Sequence, residues 1–208
     1  MEKRVSWMAT LLILCAGASP ALAAMSQAQG DKLQQAVQTG DREALDSLRQ
    51  AAQQGDAIAQ DKLGVLYARG QGIRQDYAEA ARWYRKAAEQ GWPQAQVHLG
   101  ILYSDGRGVQ RDYQQAVQWL LKAADQGNAN GMTSLGILYE LGLGVQRNRV
   151  IAYALYELAI ANGAHKDAVF YRHRLGVYIN RAARTKAKKL MQEMQKAKNV
   201  SAVLKQPA

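Results

Sequence analysis

The sequence predicts an all-α protein, a right-handed superhelical solenoid of helix hairpins with a cap at each end. The central part of the chain repeats itself every 36 residues, its apolar residues recur at helical spacing, and its glycines return at the same place in each repeat. A single hairpin of this size cannot bury its apolar face. The repeats must therefore stack around one continuous core.

The first 23 residues have the pattern of a transport signal. Two basic residues, Lys3 and Arg4, precede an apolar stretch from Val5 to Ala18, and Ala21-Leu22-Ala23 resembles a cleavage site. A bilayer-spanning helix needs roughly 20 apolar residues, and we find no stretch of that length. We expect an exported protein without a transmembrane anchor, periplasmic or alternatively secreted.

Cys15 is the only cysteine and lies inside the predicted signal. An alternative interpretation is a lipoprotein acylated at Cys15, but Ile13 and Leu14 stand where acylation signals carry small residues. If the signal is removed after Ala23, the exported chain contains no thiol and no disulfide. Packing alone would have to stabilise its fold.

Residues 24–56 are predicted to form an N-terminal cap of two helices. Ala44, Ala51 and Gly55 keep the spacing of the second helix of a repeat. The helix before them, at about 30–38, is polar and rich in glutamine. Because a terminal unit has only one neighbour, a polar outer face is expected there.

Three full repeats follow, at 57–92, 93–128 and 129–164. Aligned without gaps, the first and second agree at 17 of 36 positions, and the second and third agree at 13. Agreement at this level is typical of stacked structural repeats. The shared columns are Leu63/Leu99/Leu135, Gly64/Gly100/Gly136, Tyr67/Tyr103/Tyr139, Ala80/Ala116/Ala152, Ala87/Ala123/Ala159, Gly91/Gly127/Gly163 and the pairs Gly70-x-Gly72, Gly106-x-Gly108 and Gly142-x-Gly144.

Each repeat is interpreted as two helices joined by a glycine loop. The Leu, Gly and Tyr that recur in every repeat share one face of the first helix. That helix ends at the first glycine of the pair. Gly100 should mark the closest helix approach of the middle repeat and influence both neighbouring repeats. Asp76 and Asp112 are candidate N-caps of the second helix, with Trp83 and Trp119 as its large core residues.

Residues 165–208 are predicted to form a basic C-terminal cap and tail, with two further helices that lack the glycine loop. A helical stripe of apolar residues would close the core there; its members are Ala183, Ala187, Leu190, Met191 and Met194. The segment holds eleven Lys or Arg against two acids, a sum of +9, whereas residues 24–164 sum to zero. A pI near 9.8 is typical of proteins that bind nucleic acid. An exported protein, however, is rarely in the same compartment as nucleic acid. Anionic lipid or cell-wall polymer is the alternative partner of this end.

The repeat can be compared with a known family. The string A-x-A-Q-x-x-L-G-x-x-Y-x-x-G-x-G, followed by D-Y-x-x-A-x-x-W and K-A-A-x-x-G, closely resembles the Sel1-like repeat, a relative of the tetratricopeptide repeat. The third repeat departs from it at Arg149, Leu155 and Leu158. The resemblance implies a non-enzymatic interaction or scaffold protein, here of the cell envelope. Some cysteine-rich relatives are associated with β-lactam hydrolysis, which we keep as a remote alternative.

By the same resemblance, the first helices should line the inner surface of the solenoid and form a groove for a partner peptide or protein. The candidate columns are Asp61/Val97/Thr133, Val65/Ile101/Ile137 and Arg69/Asp105/Leu141. The middle column would make an exposed apolar floor. The alternative is that these residues complete the core or pack under the C-terminal tail.

We recognise no catalytic or metal-binding pattern. His98, His165 and His173 have no carboxylate or cysteine placed as a third ligand, so surface or cap positions are expected for them. The glycine pairs lack the third glycine and the preceding strand of a dinucleotide-binding loop. No cofactor is therefore expected.

Overall fold

A computed structural model describes residues 24–164 and 166–205, so the predicted signal, Cys15 and His165 lie outside the described part. That part is all-helical, and no helix in it is long and apolar enough to cross a membrane. Its elements are α1 (Gln27–Gln38), α2 (Arg42–Gln53), α3 (Ala57–Arg69), α4 (Tyr77–Glu89), α5 (Pro93–Asp105), α6 (Tyr113–Asp125), α7 (Ala129–Leu141), α8 (Arg149–Ala161), α9 (Asp167–Gly176), α10 (Arg181–Ala197) and α11 (Val200–Leu204).

Three consecutive hairpins, α3/α4, α5/α6 and α7/α8, form the body of the molecule. Each packs on the next, α4 on α5 and α6 on α7, and α1 and α2 form a shorter hairpin before them. The predicted all-α solenoid is confirmed. First helices also contact one another, α1 with α3, α5 with α7 and α7 with α9. These contacts place the first helices on the inner side of the curve.

The second helices begin at the predicted caps. The Asp76 carboxylate accepts hydrogen bonds from two backbone N–H groups at 2.9 and 3.0 Å, and Asp112 does the same at 2.9 and 3.0 Å. Asn148 takes this role in the third repeat, at 3.0 and 3.1 Å. Such a cap stabilises a helix by roughly 1 kcal/mol. At the N-terminus, Ser26 and Gln29 form a capping box, in which each side chain accepts from the other's backbone N–H, so α1 starts earlier than expected.

The two glycines of each loop have different structural roles. The first ends the first helix in the left-handed region, with φ of 67°, 70° and 75° at Gly70, Gly106 and Gly142. The second leaves room for the backbone of the preceding unit, since a Cβ on Gly108 would overlap the carbonyl of Tyr77. The loop is thus both a helix stop and a contact between repeats.

The glycine beside the leucine makes room for a large side chain of its own hairpin. A Cβ on Gly64 would lie 2.6 Å from the Tyr84 ring, and one on Gly100 would lie 2.9 Å from Leu120 Cγ. Gly136 faces Tyr156 in the same way. The close approach predicted at Gly100 is present, but it lies within the middle repeat and not against its neighbours.

The two tryptophans are not the core residues of the second helices. Trp83 and Trp119 are half-buried and pack at the edge of the cluster shared with the preceding unit. A lysine ammonium lies over each ring, Lys86 at 4.4 Å and Lys122 at 3.9 Å from the centroid. The adjacent position, one residue later, carries the buried side chain because it points at the glycine column.

Buried glutamines connect neighbouring hairpins. Gln96 is 3% exposed; its Nε2 donates to the Ala88 carbonyl at the end of α4, and its Oε1 accepts from Gln126 Nε2 at 2.8 Å. Gln60 makes the corresponding pair of bonds one repeat earlier. Each amide adds a second hydrogen bond to a helix-end carbonyl that already accepts one from the backbone, so the buried amide has a partner at both ends.

The C-terminal cap closes the core as the apolar stripe predicted. On α10, Ala187 and Met194 are buried. The other three residues of the stripe are partly buried, Leu190 and Met191 against one apolar cluster and Ala183 against another. A further helix, α11, was not expected. Its Ser201 N–H donates to Asp125 Oδ1 at 2.8 Å, and this hydrogen bond holds the tail against α6. The tail as far as Lys205 therefore packs on a second helix, away from the inner surface.

Candidate partner-binding channel

The first helices line two hollows that adjoin at Gln94 and His98. One, of about 580 Å³, lies between α1, α3 and α5, and the other, of about 400 Å³, lies between α5, α7 and α9. We call the two together the inner channel. It runs from Asp31 on α1 to Tyr171 on α9.

Seven of the nine predicted groove residues line the inner channel. The first hollow contains Asp61, Val65 and Arg69. The second contains Val97, Ile101, Thr133 and Ile137. The other two, Asp105 and Leu141, are exposed at the ends of their helices and line neither hollow.

The expected exposed floor is only partly present. Ile101 is 39% exposed and Ile137 is half-buried, but Val65 is buried beside Tyr84 and Leu99. The flanking column is buried throughout, at Asp61, Val97 and Thr133. These first helices are packed by their own second helix on one side and by neighbouring units on others, so they are buried over most of their circumference. The four buried residues belong to the core at the base of the inner channel.

His98 is held at the centre of the inner channel by a buried carboxylate. Its Nδ1 lies 2.8 Å from Asp61 Oδ1, and Asp61 is 1% exposed. Because a carboxylate can only accept, His98 Nδ1 carries the proton and Nε2 can accept from the Gln94 amide, 3.3 Å away. The imidazole also packs on the Tyr84 ring at 4.7 Å between centroids. The expected surface position is therefore wrong for His98.

Tyr84 is affected by the same surroundings. Burial, with the Asp61 charge as a second cause, raises the pKa of its phenol. At the N-terminal end of the inner channel, Lys62 Nζ lies 2.5 Å from Asp31 Oδ1. This hydrogen bond holds the pKa of Asp31 below its usual value and ties α1 to α3.

Two polar columns of the inner channel were missed by the sequence analysis. Gln94 and Asn130 occupy one, and His98 and Ser134 occupy the other, each pair at the 36-residue spacing. The two columns are four residues apart and so lie on one helix face. The 36-residue recurrence of these polar residues is visible in the sequence, but the predicted groove was based on its apolar column.

A second buried tyrosine, Tyr156, stacks on Tyr171 at the C-terminal end of the inner channel, with 5.7 Å between ring centroids. The Tyr156 hydroxyl donates to Glu140 Oε2 at 2.9 Å, and Arg174 lies 2.7 Å from the other oxygen of that carboxylate. Burial raises the pKa of Tyr156, with the Glu140 hydrogen bond as the next cause. Across residues 24–164 and 166–205, no three His, Cys, Asp or Glu are grouped as a metal site would require.

Comparison with known families defines the class of protein. The model of the Sel1 repeat matches residues 57–92, 93–128 and 129–163, which is more than half of the chain. The chain therefore belongs to the Sel1 repeat family. Proteins built from these repeats are generally non-enzymatic scaffolds for protein–protein interaction.

Two solved structures are similar to this chain. The c5321 protein, a protective antigen of uropathogenic Escherichia coli with an SLR fold, is 39% identical over 68% of this chain and 31% of that chain, with a TM-score of 0.60. The Sel1 repeat protein from Oxalobacter formigenes is 34% identical over 66% of this chain and 54% of that chain, with a TM-score of 0.58. This chain thus spans about a third and about half of those two proteins. No curated protein matches it.

Proposed function

We propose that this protein is a non-enzymatic interaction or scaffold protein of the cell envelope that binds an extended segment of a partner protein in the inner channel. The observation that carries the proposal is the composition of that channel. Ile101, open to solvent, lies among the amides of Gln94 and Asn130 along the inner helices.

This composition suits an extended peptide. A side-chain amide offers two N–H donors and an accepting oxygen, which match the free N–H and C=O groups of an unpaired peptide backbone. The apolar surface of Ile101 and Ile137 can take a partner side chain between those polar contacts. Both ends of the inner channel carry charges of both signs, with Asp31 and Arg69 at one end and Lys166 and Asp167 at the other.

The proposal is tested by replacing Ile101 with aspartate, with Gln118→Asp as a matched control. Gln118 is exposed on α6, outside the inner channel, and belongs to the same repeat. Each variant is used to capture partners from envelope extract, with mass spectrometry as the readout. A protein that is retained by the parent and by Gln118→Asp but lost with Ile101→Asp supports the proposal. Equal capture by a folded Ile101→Asp protein contradicts it.

The envelope location rests on the pattern of residues 1–23 and has its own test. Intact mass of the protein recovered from the periplasm should match a chain that begins at or within a few residues of Ala24. Retention of Met1 in that fraction, or a lipid on Cys15, would contradict a soluble exported form. This result is independent of the channel variants, so the two parts of the proposal can fail separately.

A further inference from the structure

Exposed apolar side chains are concentrated at one end of the molecule. Six large apolar residues are exposed in the described part, and four of them belong to α9 and the turn after it. Phe170 is 61% exposed, Val177 74% and Tyr178 66%, with Val169 at 38% beside them. We call these four residues the α9 ridge. Side chains this open have little protein around them.

Two residues of the α9 ridge share one face of the helix. Phe170 and Val177 are seven residues apart, close to two full helical turns, and this spacing returns to the same helix face. Val177 itself keeps helical backbone angles, φ −67° and ψ −28°, beyond the end of α9. Phe170 and Val177 therefore form one apolar surface, and Val169 and Tyr178 are next to them in the chain.

The packing of the C-terminal helices explains why the α9 ridge is uncovered. In each repeat the first helix packs on its own second helix, but α10 packs on α8 and α11 on α6. α9 is thus left without the hairpin partner that α3, α5 and α7 have. Its inner side contacts α8 and, more weakly, α7, while the α9 ridge faces outwards.

Two arginines lie beside the α9 ridge. The Arg149 guanidinium lies 5.8 Å from the centre of the Tyr178 ring, and Arg184 donates to the Gly176 carbonyl at the end of α9. Residues 166–205 hold eleven Lys or Arg against Asp167 and Glu193. Three of these cations are within ion-pairing distance of a carboxylate: Arg172, Arg174 and Lys189. Of the others, Lys166 precedes α9 and the rest are exposed along α10 and the tail, among them Lys186 and Lys188.

We propose that the α9 ridge and the exposed cations of α10 together form a site that binds the surface of an anionic phospholipid bilayer. Aromatic and branched apolar side chains enter the boundary between headgroups and acyl chains, while lysine and arginine contact the anionic headgroups. A soluble anionic polymer would use the cations but not Phe170 and Val177. A second copy docked end to end through the same surface would bring two segments of charge +9 together, which is unfavourable.

The test is co-sedimentation of the full chain with vesicles of phosphatidylcholine alone or of equal parts phosphatidylcholine and phosphatidylglycerol. The ridge variant is Phe170→Ser/Val177→Ser, which should keep the parent's circular dichroism because both side chains are largely exposed. The charge variant is Lys186→Gln/Lys188→Gln. A matched control, Lys32→Gln/Arg74→Gln, removes two exposed charges from the electrically neutral part of the chain.

We expect the parent to bind the anionic vesicles and to lose binding as salt increases. The ridge and charge variants should each bind about tenfold more weakly, and the control should bind like the parent. Equal binding by the ridge variant and the parent overturns the proposal, and so does equal weakening by the control, which would indicate net charge alone. Concentration-dependent dimerisation without vesicle binding would assign the α9 ridge to a second copy instead.

Discussion

His98 Nδ1 lies 2.8 Å from the Oδ1 of Asp61, and this hydrogen bond joins α5 of the second repeat to α3 of the first. Asp61 is 1% exposed, so its carboxylate has exchanged water for this imidazole. A buried charged group costs far more free energy without such a partner. The pair therefore stabilises the junction of two repeats at the point where the two hollows of the inner channel meet.

Replacing His98 with leucine should lower the free energy of unfolding by about 1–3 kcal/mol, because it leaves the Asp61 carboxylate buried without its donor. Urea unfolding measures the change. The double variant Asp61→Leu/His98→Leu should recover part of the loss, since both polar partners are then absent. His173→Leu, at an exposed position, is the control and should stay within about 0.5 kcal/mol of the parent.

Gly108 and Gly91 separate two effects of a glycine loop. Both have positive φ, 69° and 88°, but a Cβ on Gly108 would overlap the Tyr77 carbonyl, whereas one on Gly91 would meet nothing within 4 Å. Gly91→Ala should cost about 1 kcal/mol of stability from backbone strain. Gly108→Ala should cost about 1–3 kcal/mol more from the contact between repeats. Equal costs, measured by thermal or urea unfolding, would contradict that contact.

Gly100 and Leu120 should be energetically coupled. Gly100→Leu places a side chain where Leu120 Cγ already lies, and should destabilise the protein by about 1–3 kcal/mol. Combined with Leu120→Ala, the loss should be smaller than the sum of the single variants by about 0.5–3 kcal/mol. Combined with Leu48→Ala in the buried core of the N-terminal cap, it should be additive. Additivity in both pairs would show that Gly100 does not face Leu120.

Tyr84 and Tyr156 should titrate only when the protein unfolds. Burial raises the pKa of both phenols above their ordinary value of about 10. The folded state therefore holds these protons after the unfolded chain has released them, so stability is complete below pH about 10 and falls as pH rises above it. Phenolate absorbance during alkaline titration should show a delayed fraction that coincides with the loss of helical circular dichroism. In Tyr84→Phe that delayed fraction should be smaller; an unchanged fraction would show that Tyr84 ionises in the folded state.

The sequence alone determined the repeat and the starts and stops of the helices within it, but it missed the start of α1 and the presence of α11. Asp76 caps a helix because its side chain reaches the nearest backbone N–H groups, and Gly106 ends one because it tolerates a positive φ. Both effects act within a few residues. They return every 36 residues because the local sequence does, and the apolar stripe of α10 follows from helical periodicity in the same way.

Tertiary structure decided which side chains meet across the solenoid. Tyr84 rather than the predicted Trp83 became the core residue of its helix. Val65 was buried while Ile101 stayed open, although both occupy the same column of the repeat. The Asp61–His98 bond spans 37 positions and depends on how one hairpin stacks on the next. Local sequence fixes the direction of a side chain relative to its own helix. What lies in that direction is set by the packing of neighbouring units, and at α9 it is set by the absence of a hairpin partner among the described helices.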